Sequence, residues 1–290
     1  MASTSENWGA RRAVLWQHDR NTFSYGRWMS PSDGTLLGPR ALRLLADLES
    51  PDPVVRDIGA ASQLTDLIDA DAFTKEQLVA LGHRLLELLA HDRIEARSFA
   101  ALILSRVLRK SAYEEGWFEC FRSWYSNEVD VTGFDPDRGW LHAVAHGADA
   151  LAAFGYYAGV DPELVLEVAV TRMLHPGELV WRDQEDDRLG YAIAIALCDP
   201  RLTDEHARSW VQPIHDAFEA GEPGPVPPFA SNTIRTLRMV WQLSDVDLEY
   251  AGQRMLHTHR NTSRAALLTV LSVVSPHMWT SESYREGGLR

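Results

Sequence analysis

The sequence lacks most features that mark nucleic-acid-binding and membrane-associated proteins. Of its 290 residues only two are lysines, Lys75 and Lys110, and the net charge at pH 7 is −13. Because a negative chain repels phosphates and anionic lipid headgroups, we expect neither nucleic acid nor a membrane among its partners. Nearly all of the positive charge is arginine, which forms rigid bidentate pairs with carboxylates. We therefore expect many arginine–carboxylate ion pairs.

Cysteine and long apolar runs are scarce as well. Cys120 and Cys198 lie far apart in predicted helices, which argues for buried reduced thiols rather than a disulfide framework. The first residues contain no apolar core of a signal peptide, and no later stretch reaches about 18 uncharged apolar residues. These absences predict a cytoplasmic protein.

Motifs that cradle phosphates or activate nucleophiles are also missing. The chain contains no GxxxxGK[ST], no GxGxxG and no GxSxG sequence. This excludes the common routes to nucleoside triphosphate and dinucleotide chemistry. We expect no organic cofactor, and a divalent metal is the one inorganic group to consider.

The sequence does contain many helical signals. Strand-like alternation is nearly absent, whereas helical periodicity recurs from about residue 39 to residue 275. The predicted helices are 40–49, 53–69, 74–90, 94–110, 114–128, 138–154, 161–174, 185–197, 203–220, 231–243, 246–258 and 261–274. The candidate N-caps are Asp52 and Asp161 (each before a proline), Thr74 (a capping box with Gln77), Thr203 and Ser231.

These helices predict a single domain over residues 39–280. We expect residues 1–38 to be an irregular, aromatic-rich N-terminal segment and residues 281–290 to be a flexible tail. Residues 221–229, GEPGPVPPF, should be an exposed loop within the domain, because proline and glycine interrupt helices.

An internal repeat favours a specific all-α architecture. A shift of 41 residues places Arg43–Leu45 on Arg84–Leu86 and Arg56 on Arg97. The same position is then taken by His142, Arg188 and Arg235, at steps of 45, 46 and 47 residues. These steps fit a helix pair plus a loop. We therefore predict a right-handed α-solenoid of about five to six HEAT-like helix pairs, whose second helices line a concave surface.

One segment gathers proton-active side chains. Residues 138–154 place His142, His146 and Asp149 at i, i+4 and i+7, within about 60° of one another on a predicted helix. Ala145 and Gly147 leave space beside them. The repeat register predicts that these three side chains face the concave surface.

The following repeat adds two charged residues. Glu185 and Arg188 are three residues apart at the start of a predicted helix, where they could form an ordinary salt bridge. They should also face His142 and Asp149 across one turn of the superhelix. The candidate ligand-binding residues are therefore His142, His146, Asp149, Glu185 and Arg188.

Four stretches of the chain resemble a bacterial family catalogued as domain of unknown function 2785. They are VVRDIGAASQLTDLI, RSFAALILSRVL, YSNEVDVTGFDPDRGWLHAVAHGADAL and EDDRLGYAI, which begin at Val54, Arg97, Tyr125 and Glu185. The GWLHAVAHGAD segment is the most specific of them. The resemblance implies a helical repeat fold and a shared polar centre at the same five residues. It implies no particular reaction.

Three interpretations of the polar cluster remain open. His142 and His146, with Asp149 as a third ligand, could bind a divalent metal. The cluster could instead bind a ligand or transfer protons, since histidine titrates near neutral pH. It could also be a buried polar network that fixes the packing of two repeats.

The function that we expect first is binding of a small molecule, a peptide or a protein segment at this cluster. The alternative is a metal-assisted or His/Asp acid–base enzyme, a hydrolase or a lyase, acting on a small molecule. The sequence predicts no oligomeric state.

Overall fold

The computed structural model describes residues 36–222 and 224–278, and this part of the chain is mostly helical. The predicted all-α class is confirmed. Most of the predicted N-terminal segment and the whole predicted tail lie outside the described residues. No helix in the described ranges is long and apolar enough to cross a bilayer.

The helices and strands follow one another in this order along the chain. First come α1 (Pro39–Asp47), a π-helix (Val54–Ala61), α2 (Ser62–Asp69), α3 (Lys75–Leu88), α4 (Ile94–Arg109) and α5 (Trp117–Asn127). A short hairpin, β1 (Phe134–Asp135) and β2 (Gly139–Trp140), precedes α6 (Ala143–Tyr156), α7 (Pro162–Leu174) and α8 (Glu185–Leu197). Next are α9 (Asp204–Ser209), α10 (Gln212–Glu219), α11 (Pro228–Leu243), β3 (Leu248–Tyr250), β4 (Gln253–Met255), α12 (Arg260–Val274) and a 3₁₀ turn (Pro276–Met278).

Four helices stand side by side and form the row that carries the predicted cluster. α4 packs on α6, α6 on α8, and α8 on α11. α3, α5 and α7 form a second row, each packed against its sequence successor in the first row. Aromatic residues of α5 fill the space between the rows: Trp117, Phe118, Phe121, Trp124 and Tyr125 are all buried. Cys120 and Cys198 are buried free thiols, as predicted.

A glycine allows the two rows to approach closely at the predicted cluster. A Cβ atom at Gly147 would collide with the ring of Tyr125. With only hydrogen there, the Tyr125 hydroxyl reaches into the first turn of α6 and donates to the Val144 carbonyl at 2.8 Å. The space that the sequence suggests beside Gly147 is therefore filled by an aromatic side chain.

Three predicted N-caps are confirmed. Thr74 forms the complete capping box with Gln77. Asp161 accepts from the N–H of Glu163 at 3.0 Å, and Thr203 accepts from the N–H of His206 at 3.2 Å. These short-range signals were readable because each hydrogen bond spans only two or three residues.

The boundaries around the proline-rich loop were wrong. α11 begins at Pro228 rather than at Ser231, so the loop ends at Pro227 and Ser231 is not an N-cap. Proline suits the first helical position because its missing N–H would have no partner there. Pro213 interrupts the predicted helix 203–220, which is instead divided into α9 and α10.

The predicted helix 246–258 is also wrong, because a β-hairpin occupies this segment. Leu248 pairs with Met255 and Tyr250 with Gln253. Both turn residues, Ala251 and Gly252, have positive φ angles of 55° and 71°. Such a turn matches the twist of two antiparallel strands, and Leu248 and Tyr250 are buried on one side of it.

The predicted helix 138–154 begins five residues later than expected. Residues 134–140 form the hairpin β1–β2, and α6 begins at Ala143. His142 is the N-cap and has a left-handed backbone with φ 48°. It therefore lies just outside the helix on which the i, i+4, i+7 argument placed it.

Candidate functional site

The predicted cluster lies where the first turns of α6 and α8 meet. His142 faces Glu185 at the first residue of α8, and Asp149 faces Arg188 further along the same two helices. The two helices therefore run in the same direction, with both N-termini at the site. Each is preceded by a residue with a left-handed backbone, His142 at φ 48° and Gln184 at φ 67°. Such conformations are rare outside glycine and occur often at functional sites.

An imidazole and a carboxylate form the deepest part of the site. His142 Nδ1 and Glu185 Oε1 are 3.7 Å apart, which is an ion-pair distance but too long for a hydrogen bond. Both atoms are buried, and neither has a hydrogen-bond partner in the described part of the chain. The Glu185 side chain is 1% exposed and that of His142 is 18% exposed. This arrangement leaves one polar atom on each side of a narrow gap.

The pKa of Glu185 is set by opposing effects. Burial raises it, but the facing His142 and the backbone N–H groups of Glu185 and Asp183 outweigh burial and hold the pKa below its ordinary value. Asp183 N donates to Glu185 Oε2 at 2.8 Å. Glu185 is therefore a carboxylate at neutral pH, with one oxygen fixed by the backbone and the other directed toward His142.

His146 is held by α4 rather than by its predicted partners. The Ser98 hydroxyl donates to the Leu141 carbonyl, and Ser98 Oγ lies 2.9 Å from His146 Nδ1. Because Ser98 has only one proton to give, His146 Nδ1 is the donor in this second bond and the lone pair is on Nε2. Burial lowers the pKa of His146 well below its ordinary value, helped by the nearby charges of His142 and Arg188. The ring is therefore neutral at pH 7.

Arg188 pairs with Asp149 and not with Glu185, which corrects the predicted local salt bridge. Arg188 Nε donates to Asp149 Oδ1 at 3.0 Å, and Nη2 contacts Oδ2. The pair joins α8 to α6 at the solvent side of the cluster, where the Arg188 side chain is 46% exposed. All five predicted residues thus lie in one region, where they form three arrangements. Arg188 pairs with Asp149, His142 faces Glu185, and His146 contacts Ser98.

An aromatic wall beside the cluster was missed by the sequence analysis. The Trp140 indole stacks on the His142 ring with centroids 4.4 Å apart and an interplanar angle of 4°. Phe134 contacts Trp140 edge to face at 4.8 Å. Both residues are about half exposed. The signal was present in the GWLH sequence, but residues 138–142 were assigned to a helix.

Two contacts fix this wall to the start of α8 and the loop before it. Gly133 supports the carboxylates of Asp183 and Glu185, and a Cβ atom there would collide with both. Asp183 Oδ2 accepts from the N–H of Phe134 at 3.1 Å. The loop before α8 and the hairpin before α6 are therefore locked together at Gly133.

Arg56 supports the other side of the hairpin. Its fully buried guanidinium donates to the carbonyls of Arg138 at 2.7 Å and Trp140 at 3.1 Å. Its Nε also donates to Asp57 Oδ1 at 2.7 Å. Arg97, at the equivalent repeat position, binds Glu128 through both carboxylate oxygens. Arg56 therefore links the π-helix to hairpin β1–β2, and Arg97 links α4 to the segment after α5.

The three residues considered for metal binding point to different partners. Asp149 is engaged by Arg188, and the ring centroids of His142 and His146 are 5.7 Å apart. Within residues 36–222 and 224–278, no group of three His, Cys, Asp or Glu side chains has a geometry that could hold a metal ion. A metal site there would require Asp149 to leave Arg188.

Comparison with known proteins gives one match. The sequence model of a family described as "Protein of unknown function (DUF2785)" matches residues 84–241, more than half of the chain. The matched region contains α4, α6 and α8 and all five predicted site residues. A search of curated proteins finds no match, and neither does a search of solved structures.

Proposed function

The chain belongs to this DUF2785 family, as its motifs predict, and we propose that it binds a small polar molecule between His142 and Glu185. The aromatic wall of Trp140 and Phe134 would contact the rest of the ligand. The proposed function is binding. The ligand would place a hydroxyl or amine group at the base of the site, and an apolar or sugar-like face of the ligand would lie against the aromatic wall.

The observation that carries this proposal is the pair of unsatisfied polar atoms. Buried polar atoms in proteins almost always have partners, and leaving one without costs about 1–3 kcal/mol. Here two such atoms face each other across 3.7 Å. A hydroxyl group both donates and accepts, and an ammonium group has three donors, so one ligand group can bond to Glu185 Oε1 and His142 Nδ1 together. Half-exposed aromatic rings next to such a gap supply stacking area.

We also propose that the helix rows are HEAT-like pairs of a right-handed solenoid, with the cluster on its concave face. The alternation of α3–α4, α5–α6 and α7–α8 between two rows supports this arrangement. Arg56 and Arg97, at equivalent repeat positions, each bind a later segment of the chain, which supports it as well. A concave face would give a ligand or a peptide segment access to Arg188 and Trp140 from one side.

A thermal-shift screen tests the binding proposal. Monosaccharides, polyols and amino alcohols are added to the purified protein at millimolar concentration. At least one should raise the melting temperature of the wild type, because a ligand that binds only the folded state stabilises it. The shift should disappear in Glu185→Gln and in Trp140→Ala. Glu178→Gln is the matched control, because Glu178 is exposed and lies outside the site. The absence of any shift across the panel, or an equal shift in Glu185→Gln, would overturn the proposal.

An acid–base enzyme at the same cluster is the second candidate. It is favoured by the strained backbone of His142, by its facing carboxylate, and by the free Nε2 lone pair of the neutral His146. A hydrolase or lyase of this kind would use His142 as the proton carrier and Glu185 to orient it. Metal analysis of the purified protein distinguishes a metal-assisted enzyme from a metal-free acid–base enzyme. Stoichiometric zinc, iron or manganese would support the metal-assisted enzyme. Turnover of a compound found in the screen, lost in His142→Gln, would replace binding by catalysis.

A further inference from the structure

Like Arg56, Arg172 on α7 is buried, but it has no carboxylate partner among the described residues. Arg172 is 3% exposed, and its Nη1 donates to the carbonyls of Tyr125 at 3.0 Å and Glu128 at 2.7 Å. No carboxylate oxygen of the described chain lies within 4.0 Å of its guanidinium. The nearby Glu128 carboxylate is engaged by Arg97 through both oxygens. Arg172 therefore brings a positive charge into the interior that is not neutralised by an ion pair.

Two hydrogen-bond donors without partners line one small cavity. Arg172 Nε and the indole Nε1 of Trp181 are both buried, and neither has a hydrogen-bond partner among the described residues. Trp181, like Arg172, is 3% exposed. The two residues line a cavity of about 10 Å³, together with Val129, Val131, Met173, His175, Gly177, Leu179, Phe229 and Asn232.

The side chain of Asn232, which also lines this cavity, is hydrogen-bonded to other groups. Asn232 Oδ1 accepts from the N–H of Trp181 at 2.9 Å, and Asn232 Nδ2 donates to the Leu179 carbonyl at 3.1 Å. Asn232 therefore satisfies neither Arg172 Nε nor the indole of Trp181. Arg172 Nε and Trp181 Nε1 are therefore two buried donors with no acceptor bound to them among the described residues.

We propose that this cavity binds one small monovalent anion of the size of chloride, between Arg172 Nε and Trp181 Nε1. Both donors are satisfied by a single acceptor, and only an anion also balances the charge of the guanidinium. A cavity of about 10 Å³ holds no more than one small particle, so a polyatomic anion such as sulfate does not enter without displacing side chains.

The electrostatics of Arg172 agree with a missing counter-ion. Burial lowers the pKa of Arg172, and the interactions with Tyr125 and Glu128 offset this only in part. A bound anion would favour the charged guanidinium and reduce this penalty. The site lies between the segment after α5, the C-terminal end of α7 and the start of α11, so the anion would bridge all three.

A halide titration tests the site in solution. Chloride replaces gluconate at constant ionic strength, from zero to 200 mM. We expect the wild-type melting temperature to rise by about 2–4 °C, because an anion that binds only the folded state stabilises it. Trp181→Phe removes the indole donor but keeps an aromatic ring, and it should lose most of this rise. Trp117→Phe is the matched control: its indole N–H is equally buried and unpaired but lies elsewhere. Equal chloride responses in both variants and the wild type would overturn the proposal.

Crystals soaked in bromide give a direct test that needs no variant. The anomalous signal of bromide should produce a peak between Arg172 Nε and Trp181 Nε1. Ordinary water density with no anomalous peak at that position would show that the cavity holds water, and the proposal would be wrong. This outcome is independent of the His142–Glu185 site.

Discussion

Arg188 on α8 binds Asp149 on α6 through one edge of its guanidinium, Nε to Oδ1 and Nη2 to Oδ2. This is the bidentate geometry in which arginine recognises a carboxylate. The residues are 39 positions apart, so the pair crosses between two neighbouring helices rather than along one. The pair lies at the solvent side of the cluster, outside the hydrophobic core.

We expect the Asp149–Arg188 pair to contribute little to stability. Asp149→Asn should lower the free energy of unfolding by about 0.2–1 kcal/mol, because water screens a half-exposed pair. A double-mutant cycle with Arg188→Gln, followed by urea denaturation, isolates the coupling. A coupling above about 3 kcal/mol would mean that the pair is desolvated in solution.

Stability should fall as the pH decreases below about 6.5. The pKa of His146 is lowered in the folded state by burial and by His142 and Arg188, so below pH 6.5 the unfolded chain binds more protons and gains stability relative to the folded one. Burial and the charge of Arg260 lower the pKa of His257 to about 4, which acts in the same direction. The stabilising effect of both neutral rings is complete above pH 6.5.

The pH dependence can be assigned by substitution. Urea denaturation between pH 5 and 7 should give a slope of at most about 1.4 kcal/mol per pH unit for each histidine. In His146→Gln the slope of unfolding free energy against pH should decrease by the contribution of about one bound proton. This decrease does not depend on how much stability the substitution itself removes. The window excludes Glu185, whose pKa is lowered from 4.5, so that its stabilising effect is lost only at lower pH. An unchanged slope would show that His146 is accessible and titrates normally.

Gly133→Ala should disrupt the site, whereas Gly177→Ala should not. A Cβ atom at Gly133 would collide with the carboxylates of Asp183 and Glu185, while the space around Gly177 is open. Overpacking of this kind costs about 1–3 kcal/mol. Gly177→Ala should change the unfolding free energy by less than about 0.5 kcal/mol. Comparable stability of the two variants would indicate that the carboxylates can move away from the hairpin.

Gln184→Gly should stabilise the protein relative to Gln184→Ala. Gln184 is exposed and has a φ of 67°, a conformation that costs a residue with a Cβ about 1–2 kcal/mol. Glycine avoids this cost, but its larger conformational entropy in the unfolded chain offsets part of the benefit. We therefore expect a net difference in unfolding free energy of about 0.5–1 kcal/mol. Chemical denaturation of both variants measures it. If alanine is the better residue, the left-handed backbone before α8 is absent in solution.

The sequence was sufficient for those features that depend on short-range patterns. Helical periodicity predicted the helices of both rows, and capping rules found Thr74, Asp161 and Thr203. The repeat register predicted that His142 and Glu185 would lie in one region. Each of these inferences uses residues only a few positions apart or a repeat of nearly constant length.

The failures involve interactions between distant residues. Whether Arg188 binds Glu185 or Asp149 depends on the spacing of α6 and α8, which no local pattern contains. The start of α6 at Ala143 depends on hairpin β1–β2, which Arg56 holds from a different part of the chain. His146 was expected beside Asp149, but its Nδ1 binds Ser98, 48 residues earlier in the chain.

The buried guanidinium of Arg56 also limits how early the N-terminal part of the protein can reach its final structure. Two of its carbonyl partners, on Arg138 and Trp140, are 82 and 84 residues further along the chain. During synthesis on the ribosome, the π-helix must keep this charge hydrated until those residues leave the exit tunnel. The segments before α4 therefore do not form a self-sufficient folding unit. A nascent chain that stops before residue 138 should stay sensitive to protease around Arg56.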